Sequence, residues 1–205
     1  MKIFKTILVI SPHTDDGELG CGGSIAKFAR EGSKIIHLVF FDGTKQSAEI
    51  LKEFERANDV LGIPVEHRII ERLDMRNYER NRQKILDLMI DIEEQFKPAL
   101  VFLPSPKDFH QDHMTVSREG LRAFKFSTIL GYEEPWNNLV FETSCFIEIE
   151  EEDLSKKLRA LDYYNSQKGH YYFSEEILRS LALVRGAQIK SRYAEAFEVM
   201  RIIIH

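Results

Sequence analysis

Short apolar runs alternate with segments of helical spacing along the first two thirds of the chain. Runs such as 34–41 are apolar almost throughout, which is typical of strands buried on both faces of a sheet. The predicted strands are 6–10, 34–41, 65–70 and 100–103, and the predicted helices are 22–30, 47–61, 78–96 and 115–126. This order predicts an α/β fold, in which helices cover both faces of a mostly parallel sheet.

The last third of the chain predicts a different order of elements. Strand-like residues occupy 139–149, and two helices are predicted at 152–165 and 174–187. The β-branched end of the segment 194–203 favours a strand there. Because no repeat, low-complexity segment or Pro/Gly/Ser-rich linker divides the chain, we expect a single domain over residues 1–205.

Polar side chains follow the first predicted strand directly. Residues 11–16 read Ser-Pro-His-Thr-Asp-Asp, which brings His13, Asp15 and Asp16 to the carboxyl end of that strand. Open α/β sheets bind their ligands at this edge. Ordinary turn residues would suffice to connect a strand to a helix, so an imidazole beside two carboxylates indicates a metal site.

A second polar cluster follows the strand predicted at 100–103. The segment 104–113 is predicted to be a loop with four such side chains: Asp108, His110, Asp112 and His113. Loops at one edge of a parallel sheet can converge, so His13, Asp16 and His113 would supply the three ligands of a catalytic zinc ion. The same ligands also suit Fe²⁺. The groups left for proton transfer are Asp15, His110 and Asp112.

Composition narrows the classes of partner. The 205 residues are 43% hydrophobic and 30% charged, with a formal net charge of −5, which argues against a nucleic-acid partner. No apolar stretch approaches the roughly 18 residues that span a bilayer, and the amino terminus lacks the apolar region of a signal peptide. Cys21 and Cys145 are expected to be reduced thiols. These features predict a cytoplasmic protein with a small-molecule substrate.

Four glycines after the first strand raise the question of a nucleotide site. They are Gly17, Gly20, Gly22 and Gly23. Their spacing is not G-x-G-x-x-G, and the lysine of a phosphate-binding loop is absent. Asp15 and Asp16 would also repel a pyrophosphate at the start of the helix. The glycines therefore do not indicate a nucleotide cofactor.

The two polar clusters resemble those of a known family, the zinc-dependent N-acetylglucosaminyl deacetylases of the PIG-L/LmbE-like type. The resemblance rests on 12–16 (Pro-His-Thr-Asp-Asp), 19–25 (Leu-Gly-Cys-Gly-Gly-Ser-Ile) and 108–113 (Asp-Phe-His-Gln-Asp-His). Weaker matches lie at 53–57, 61–62, 166–167, 185–188 and 193–197. It implies a Rossmann-like fold and hydrolysis of the N-acetyl group of an amino sugar or a sugar conjugate.

The resemblance also implies a role for each polar side chain. Zinc would be bound by the three ligands named above. Asp15 would be the general base, and His110 would stabilise the oxyanion or protonate the leaving amine. Asp112 would orient His110 and raise its pKa.

Two positions depart from the family pattern. Thr14 stands where members of the family have proline, which leaves the ligands in place. Ile50 stands near the place of a substrate-binding arginine. The candidates for its role are Lys45, Arg56 and Arg76. His170, beside three aromatic residues, either lines the substrate entrance or belongs to a packing cluster.

Other functions also fit these residues. A non-catalytic relative would hold the metal as a binding subunit, but it would need neither Asp15 nor His110. A hydrolase for another acyl group or an ester would use the same site. The sequence leaves open whether the sugar that carries the acetyl group is free, nucleotide-linked, lipid-linked or thiol-linked. If they lie outside the core, three aromatic residues would suit an interface of a homo-oligomer: Phe124, Phe126 and Trp136.

Overall fold

Seven strands form one sheet in the part of the chain that the structure describes. This computed structural model describes residues 4–42, 44–74 and 77–204, with the backbone alone at 45–47. The strands are β1 Thr6–Ser11, β2 Lys34–Phe41, β3 Arg68–Arg72, β4 Leu100–Pro104, β5 Thr128–Tyr132, β6 Cys145–Ile149 and β7 Tyr193–Arg201. Their order across the sheet is β3-β2-β1-β4-β5-β7-β6. Strands β1 to β5 are parallel, and β7 is antiparallel to β5 and β6.

Helices connect these strands and pack on the sheet. They are α1 Asp16–Arg30, α2 Lys45–Leu61, α3 Arg82–Phe96, α4 Gln111–Ala123, α5 Glu151–Leu161 and α6 Glu175–Gln188. Short 3₁₀ helices lie at Val65–His67, Asn165–Gln167 and Tyr171–Phe173. Within the described residues, no helix is both long enough and apolar enough to cross a bilayer.

Alternate residues of the central strands pack into two hydrophobic cores on opposite faces of the sheet. Ile7 and Val9 of β1 join one core, which includes residues of α1, α2 and α5. Leu8 and Ile10 join the other, which includes residues of α3 and α4. All four side chains are fully buried. The predicted α/β fold, with helices on both faces of a mostly parallel sheet, is confirmed.

Several predicted elements differ from the structure at their ends. The strand expected at 65–70 starts as a 3₁₀ turn and becomes β3, while the strand expected at 139–149 begins only at Cys145. Tyr78, expected in a helix, lies before α3 because its hydroxyl donates to the Pro12 carbonyl and its ring is buried. Strand β5 was not predicted because it has only five residues, one of which is Gly131. Its hydrogen-bonded pairing with β4, rather than its hydrophobic pattern, identifies it as a strand.

The order of the strands determines where a ligand can bind. The chain moves from β1 to β2 on one side, and β4 lies on the other side of β1. A crevice opens at such a switch point, beyond the carboxyl ends of the two strands. The connections that follow β1 and β4 therefore face one another, and they carry the two polar clusters.

Helix α1 is bent at Cys21, whose φ and ψ of −145° and 23° are not helical. Glu195 of β7 accepts hydrogen bonds from the backbone N–H groups of Gly23 and Ser24, at 3.0 and 2.7 Å. Lys157 of α5 donates to the same carboxylate at 2.6 Å. Glu195 therefore caps the second half of the bent helix.

Close packing explains the glycines of α1. A Cβ on Gly20 would overlap the ring of Tyr132, and a Cβ on Gly17 would lie 2.5 Å from Ser11 Oγ. These glycines let the helix approach the sheet closely.

We expect Glu195→Gln to lower the free energy of unfolding by about 3 kcal/mol, because it leaves the buried Lys157 ammonium without a counter-charge. Urea denaturation measures this loss. A second substitution, Lys157→Met, should recover part of it. The control is Lys156→Met, which breaks a more exposed ion pair with Glu152 and should cost at most about 1 kcal/mol. Equal losses for Glu195→Gln and Lys156→Met would contradict the role of Glu195 as the buried counter-charge of Lys157.

Candidate metal and catalytic site

Three predicted ligand atoms form a triangle in the crevice between β1 and β4. His13 Nδ1, Asp16 Oδ2 and His113 Nε2 lie 3.2 Å from one another along all three sides. A tetrahedral zinc ion, with bonds of about 2.0–2.1 Å, places its ligand atoms about 3.3 Å apart. The three side chains therefore fit such an ion and leave its fourth position open. A related set of three imidazoles could also hold a cation: His13, His110 and His113.

Both polar clusters reach into the first turns of helices. Helices α1 and α4 begin at Asp16 and Gln111, before the predicted starts at 22 and 115. The prediction of a loop through residue 113 is therefore wrong for its last three residues. Asp16 Oδ2 accepts the backbone N–H of His13 at 2.7 Å, which ties the loop to the helix. A carboxylate in a first turn is also favoured by the helix dipole.

The imidazoles and the carboxylate of the triangle control one another's charge. Burial raises the pKa of Asp16, but His113 and His13 outweigh it and lower that pKa overall. Burial lowers the pKa of His13, but Asp16 and then Asp112 raise it to about 9. Against burial, Asp16 and Glu134 likewise raise the pKa of His113. The triangle therefore combines an ionised carboxylate with two imidazoles whose protonated forms that carboxylate favours.

Asp108 holds the ring of His113 in place. Its Oδ2 lies 2.8 Å from His113 Nδ1, and its Oδ1 accepts the backbone N–H of His110 at 2.7 Å. Because Nδ1 of His113 donates to this buried carboxylate, Nε2 is the nitrogen left to bind a metal. The sequence placed Asp108 in the loop without a site role. Its position five residues before His113, a predicted ligand, was the sequence signal that could have indicated this role.

Asp15 is the N-cap residue of α1 and lines the same cavity as the triangle. Burial, followed by the neighbouring Asp16 carboxylate, raises the pKa of Asp15 to about 7. A carboxyl group that gains and loses a proton near neutral pH is suited to act as a general base.

His110 and Asp112 are arranged differently from the expectation. Nδ1 of His110 accepts the backbone N–H of Asp112 at 3.3 Å, which leaves the proton of the neutral ring on Nε2. The Asp112 carboxylate lies 3.2 Å from His13 Nε2 instead. Burial, then His113 and His13, lower the pKa of His110 overall, although Asp112 raises it as expected. The role of Asp112 in orienting His110 stays a prediction.

A chain of buried hydrogen bonds lies beneath the β1–α1 connection. Ser11 Oγ is 2.7 Å from His37 Nε2, and His37 Nδ1 is 2.8 Å from Asn58 Oδ1. Asn58 donates to Glu18 at 3.1 Å, as does the Tyr164 hydroxyl at 3.0 Å. Burial lowers the pKa of His37 to about 4, so its ring is neutral. This chain supports the loop and gives His37 a structural role.

The catalytic candidates line one cavity of about 410 Å³, which has an aromatic wall. Trp136 and Tyr172 stack with their ring centroids 4.3 Å apart, and His170 and Tyr172 stack at 5.2 Å. His170 therefore lines the cavity and also belongs to an aromatic cluster. The lining residues are His13, Asp15, Asp16, Leu19, His110, Asp112, His113, Glu134, Trp136, Asn137, Gln167, His170 and Tyr172. A larger groove of about 730 Å³, beside Phe28 and Ile147, has no histidine among its described lining residues.

Comparison with known families agrees with this site. The family model described as PIG-L, GlcNAc-PI de-N-acetylase, matches residues 8–124, a span that includes both polar clusters. The chain belongs to the PIG-L family. A relative from Escherichia coli (strain K12), described as an uncharacterized deacetylase, YaiS, is 32% identical over 171 residues. The alignment covers 79% of this chain and 91% of the relative.

Solved structures confirm the PIG-L fold. The N,N'-diacetylchitobiose deacetylase from Pyrococcus horikoshii has a TM-score of 0.74 at 26% identity, covering 97% of this chain and 85% of that one. GalB from Pseudomonas putida KT2440, a 4-carboxy-2-hydroxymuconate hydratase, has a TM-score of 0.77 at 20% identity, covering 98% of each chain. Because a hydratase shares this fold, the reaction must be inferred from the residues of the site.

Glu134 is a cavity residue of this PIG-L protein that the sequence did not single out. It follows β5, is 1% exposed, and has its Oε2 3.8 Å from His113 Nδ1. Burial, then Asp16, raises its pKa. Asp16, His113 and Glu134 form a second set that could hold a cation. Glu134 was missed because the strand that places it was not predicted.

Within the part of the chain that is described, the three side chains predicted to bind substrate are not seen together in the cavity. Arg76 lies outside those residues, as does the side chain of Lys45. Arg56 is exposed on α2 and does not line the cavity. All three assignments stay predictions.

The remaining side chains singled out by the sequence have separate places. Both cysteines are free, as expected. Phe124 is buried in the core, and Phe126 is exposed. Trp136 belongs to the cavity wall, so only Phe126 is left for the suggested interface.

We expect Asp108→Ala to weaken zinc binding about 10- to 100-fold, because it removes the carboxylate that orients His113. Competition with a chromophoric chelator measures the affinity. Lys107→Ala is the control, since this neighbouring side chain pairs with Glu142 and Glu198 away from the triangle. Unchanged affinity in Asp108→Ala would show that the ring does not depend on this contact.

Zinc uptake should release protons at neutral pH. The pKa of His13 is raised to about 9 and that of His113 is raised as well, so the charged forms of these rings are favoured, whereas metal ligands must be neutral. We expect at least one proton to be released per ion at pH 7, and an apparent affinity that rises as the pH approaches 9. Calorimetry in buffers of different ionisation enthalpy counts the protons. Uptake without proton release would contradict the assignment of these two ligands.

Proposed function

We propose that the protein is a metal-dependent hydrolase that removes the N-acetyl group from an amino sugar or a sugar conjugate. The observation that carries this proposal is the 3.2 Å triangle of His13, Asp16 and His113, with Asp15 in the same cavity. Membership of the PIG-L family, and the deacetylase names of two of its relatives, support the choice of substrate.

The three triangle residues would hold the metal ion. Bound there, a zinc ion would supply Lewis acidity toward the amide carbonyl and would lower the pKa of a water molecule. Zinc is the proposed metal because two imidazoles, one carboxylate and an open position are a catalytic zinc set. Fe²⁺ is the second candidate on the same ligands.

Asp15 would act as the general base and then as the acid. Its carboxylate takes a proton from the attacking water as the oxygen bonds to the amide carbon. When the C–N bond breaks, Asp15 returns that proton to the leaving nitrogen, so that acetate and a primary amine are formed. Burial and the neighbouring Asp16 carboxylate raise the pKa of Asp15 above that of an ordinary aspartate, which suits a group that takes a proton and then returns it.

His110 would stabilise the oxyanion as a neutral ring. Its Nδ1 accepts the backbone N–H of Asp112, so Nε2–H is the available donor. Because burial and two neighbouring imidazoles lower its pKa, His110 donates this hydrogen bond without carrying a full positive charge. The proton for the amine then comes from Asp15.

Asp15 also separates this proposal from its alternatives. A subunit that only bound a metal would have no need for a buried carboxyl of raised pKa beside the ligands. A hydrolase of another acyl group would use all of these residues, so the choice between acyl groups rests on the family. Cytoplasmic location and a single domain over residues 1–205 stay predictions.

The test is acetate release from a panel of N-acetyl sugars, with chelated protein compared with protein reloaded with zinc. Release that requires the metal supports the proposal. No release from any substrate by protein that holds zinc at one ion per chain would overturn it.

We expect Asp15→Asn to keep its zinc and to lower turnover about 10²- to 10⁴-fold, because the base is lost while the ligands remain. Zinc content and initial rates are measured on the same preparation. The control is Asp91→Asn, at an exposed position of α3. Since Asp15 must be ionised to act, kcat/KM of the wild type should fall as the pH is lowered through its pKa, which a bound cation shifts below 7. Wild-type turnover in Asp15→Asn would show that another group is the base.

A further inference from the structure

Three buried tyrosine hydroxyls donate to backbone carbonyls of the segment that runs from β1 into α1. The donors and acceptors, with the distances between their oxygen atoms, are Tyr132 and Ile10 (3.0 Å), Tyr78 and Pro12 (2.8 Å), and Tyr164 and Thr14 (2.5 Å). Each tyrosine is at most 1% exposed. Every second carbonyl from residue 10 to residue 14 is therefore held by a side chain from a distant part of the chain.

Two of these hydroxyls reach the segment from opposite faces of the sheet. Tyr78 lies before α3 and packs in the core that includes residues of α3 and α4. Tyr164 follows α5 and packs in the core that includes residues of α1, α2 and α5. Because a closely packed core fixes a ring in one orientation, the position of each hydroxyl is set by the core and not by a ligand.

The Pro12 carbonyl belongs to the peptide group that leads into the proposed metal ligand His13. Because a peptide group is planar, this carbonyl and the N–H of His13 turn together. That N–H donates to Asp16 Oδ2 at 2.7 Å. Pro12 lies between β1 and α1, so neither the strand ladder nor the regular helix fixes this plane. The hydroxyl of Tyr78 therefore helps to set the direction in which His13 leaves the backbone.

The Thr14 carbonyl belongs to the peptide group that leads into Asp15, the proposed base. This group also lies outside β1 and α1, because Asp15 is the N-cap residue and the helix begins after it. The Tyr164 hydroxyl also lies 3.0 Å from Glu18 Oε1, which joins it to the chain of buried hydrogen bonds beneath the connection. Tyr164 therefore acts on the plane before Asp15 as Tyr78 acts on the plane before the metal ligand.

We propose that Tyr78 and Tyr164 are positioning residues with separate tasks. Tyr78 positions His13 for the metal ion, and Tyr164 positions Asp15 for proton transfer. This inference rests on the proposed function for the roles of His13 and Asp15. Tyr132 provides the comparison, because its acceptor lies inside β1, where the pairing with β2 also holds the peptide group.

Three matched substitutions test the separation of tasks: Tyr78→Phe, Tyr132→Phe and Tyr164→Phe. Each keeps the ring and removes one hydroxyl from a buried carbonyl, so we expect similar falls in the urea midpoint of unfolding. Zinc affinity, measured by competition with a chelator, should fall about tenfold in Tyr78→Phe and stay within about twofold of wild type in the other two.

Turnover at saturating zinc should separate the variants in the opposite way. We expect kcat to fall about tenfold in Tyr164→Phe with KM unchanged, and to stay within about threefold of wild type in Tyr78→Phe and Tyr132→Phe. If the hydroxyls only stabilised the fold, the losses of zinc affinity and of turnover would both follow the loss of stability.

A third measurement needs no substrate. The amide ¹H and ¹⁵N shifts of His13 and Asp15 report on the two peptide groups whose carbonyls accept from Tyr78 and Tyr164. In zinc-loaded protein, Tyr78→Phe should move the His13 signal more than the Asp15 signal, and Tyr164→Phe should do the reverse. Tyr132→Phe should move both signals less than either of these variants moves its own.

The outcomes separate this inference from the proposed function. Equal zinc affinities of Tyr78→Phe and Tyr132→Phe would overturn the inference. So would equal turnover of Tyr164→Phe and Tyr132→Phe at full zinc loading when the wild type is active, or equal movement of both amide signals in each variant. If the wild type releases acetate from no substrate while the zinc affinities and amide signals separate as expected, the proposed function fails and the separate positioning roles stand.

Discussion

A buried carboxylate needs positive charge beside it, and the arrangement of the site follows from this need at Asp16. The start of α1 supplies part of that charge through its dipole. His13 and His113 supply the rest, and each lies 3.2 Å from the same oxygen. Because His113 comes from the helix after β4, this one oxygen joins the two sides of the crevice. A divalent cation held by the same three atoms could neutralise the Asp16 carboxylate without rebuilding the surroundings.

The sequence could point to the proposed metal ligands because each cluster is local. His13 and Asp16 are three residues apart at the end of a strong apolar strand, and residue types alone indicate their chemistry. Glu134 and the aromatic wall have no such local signal. They reach the cavity only through the pairing of β5 and the packing of the segment around Tyr172, which are tertiary effects. The layered α/β architecture was predictable for the same reason as the ligands, since buried parallel strands leave long apolar runs.

The position of the Asp112 carboxylate could not be read from the sequence. It lies 3.2 Å from His13 Nε2, a ring that comes from the other side of the crevice. Residues three apart share a face, and the rings of His110 and His113 are accordingly 4.7 Å apart. Predicting this contact would have required the correct helix start at Gln111. The first turn of α4 is polar, so a search for apolar residues at helical spacing does not detect where the helix begins.

The cap on the bent helix α1 has a consequence for the order of events during synthesis. Glu195 lies 171 residues after Ser24, so the second half of the helix that carries Asp16 is capped only after β7 has been synthesised. A nascent chain that ends within the first 124 residues contains every proposed ligand and yet lacks this cap. We therefore expect the ability to retain a metal to arise only once β7 has joined the sheet.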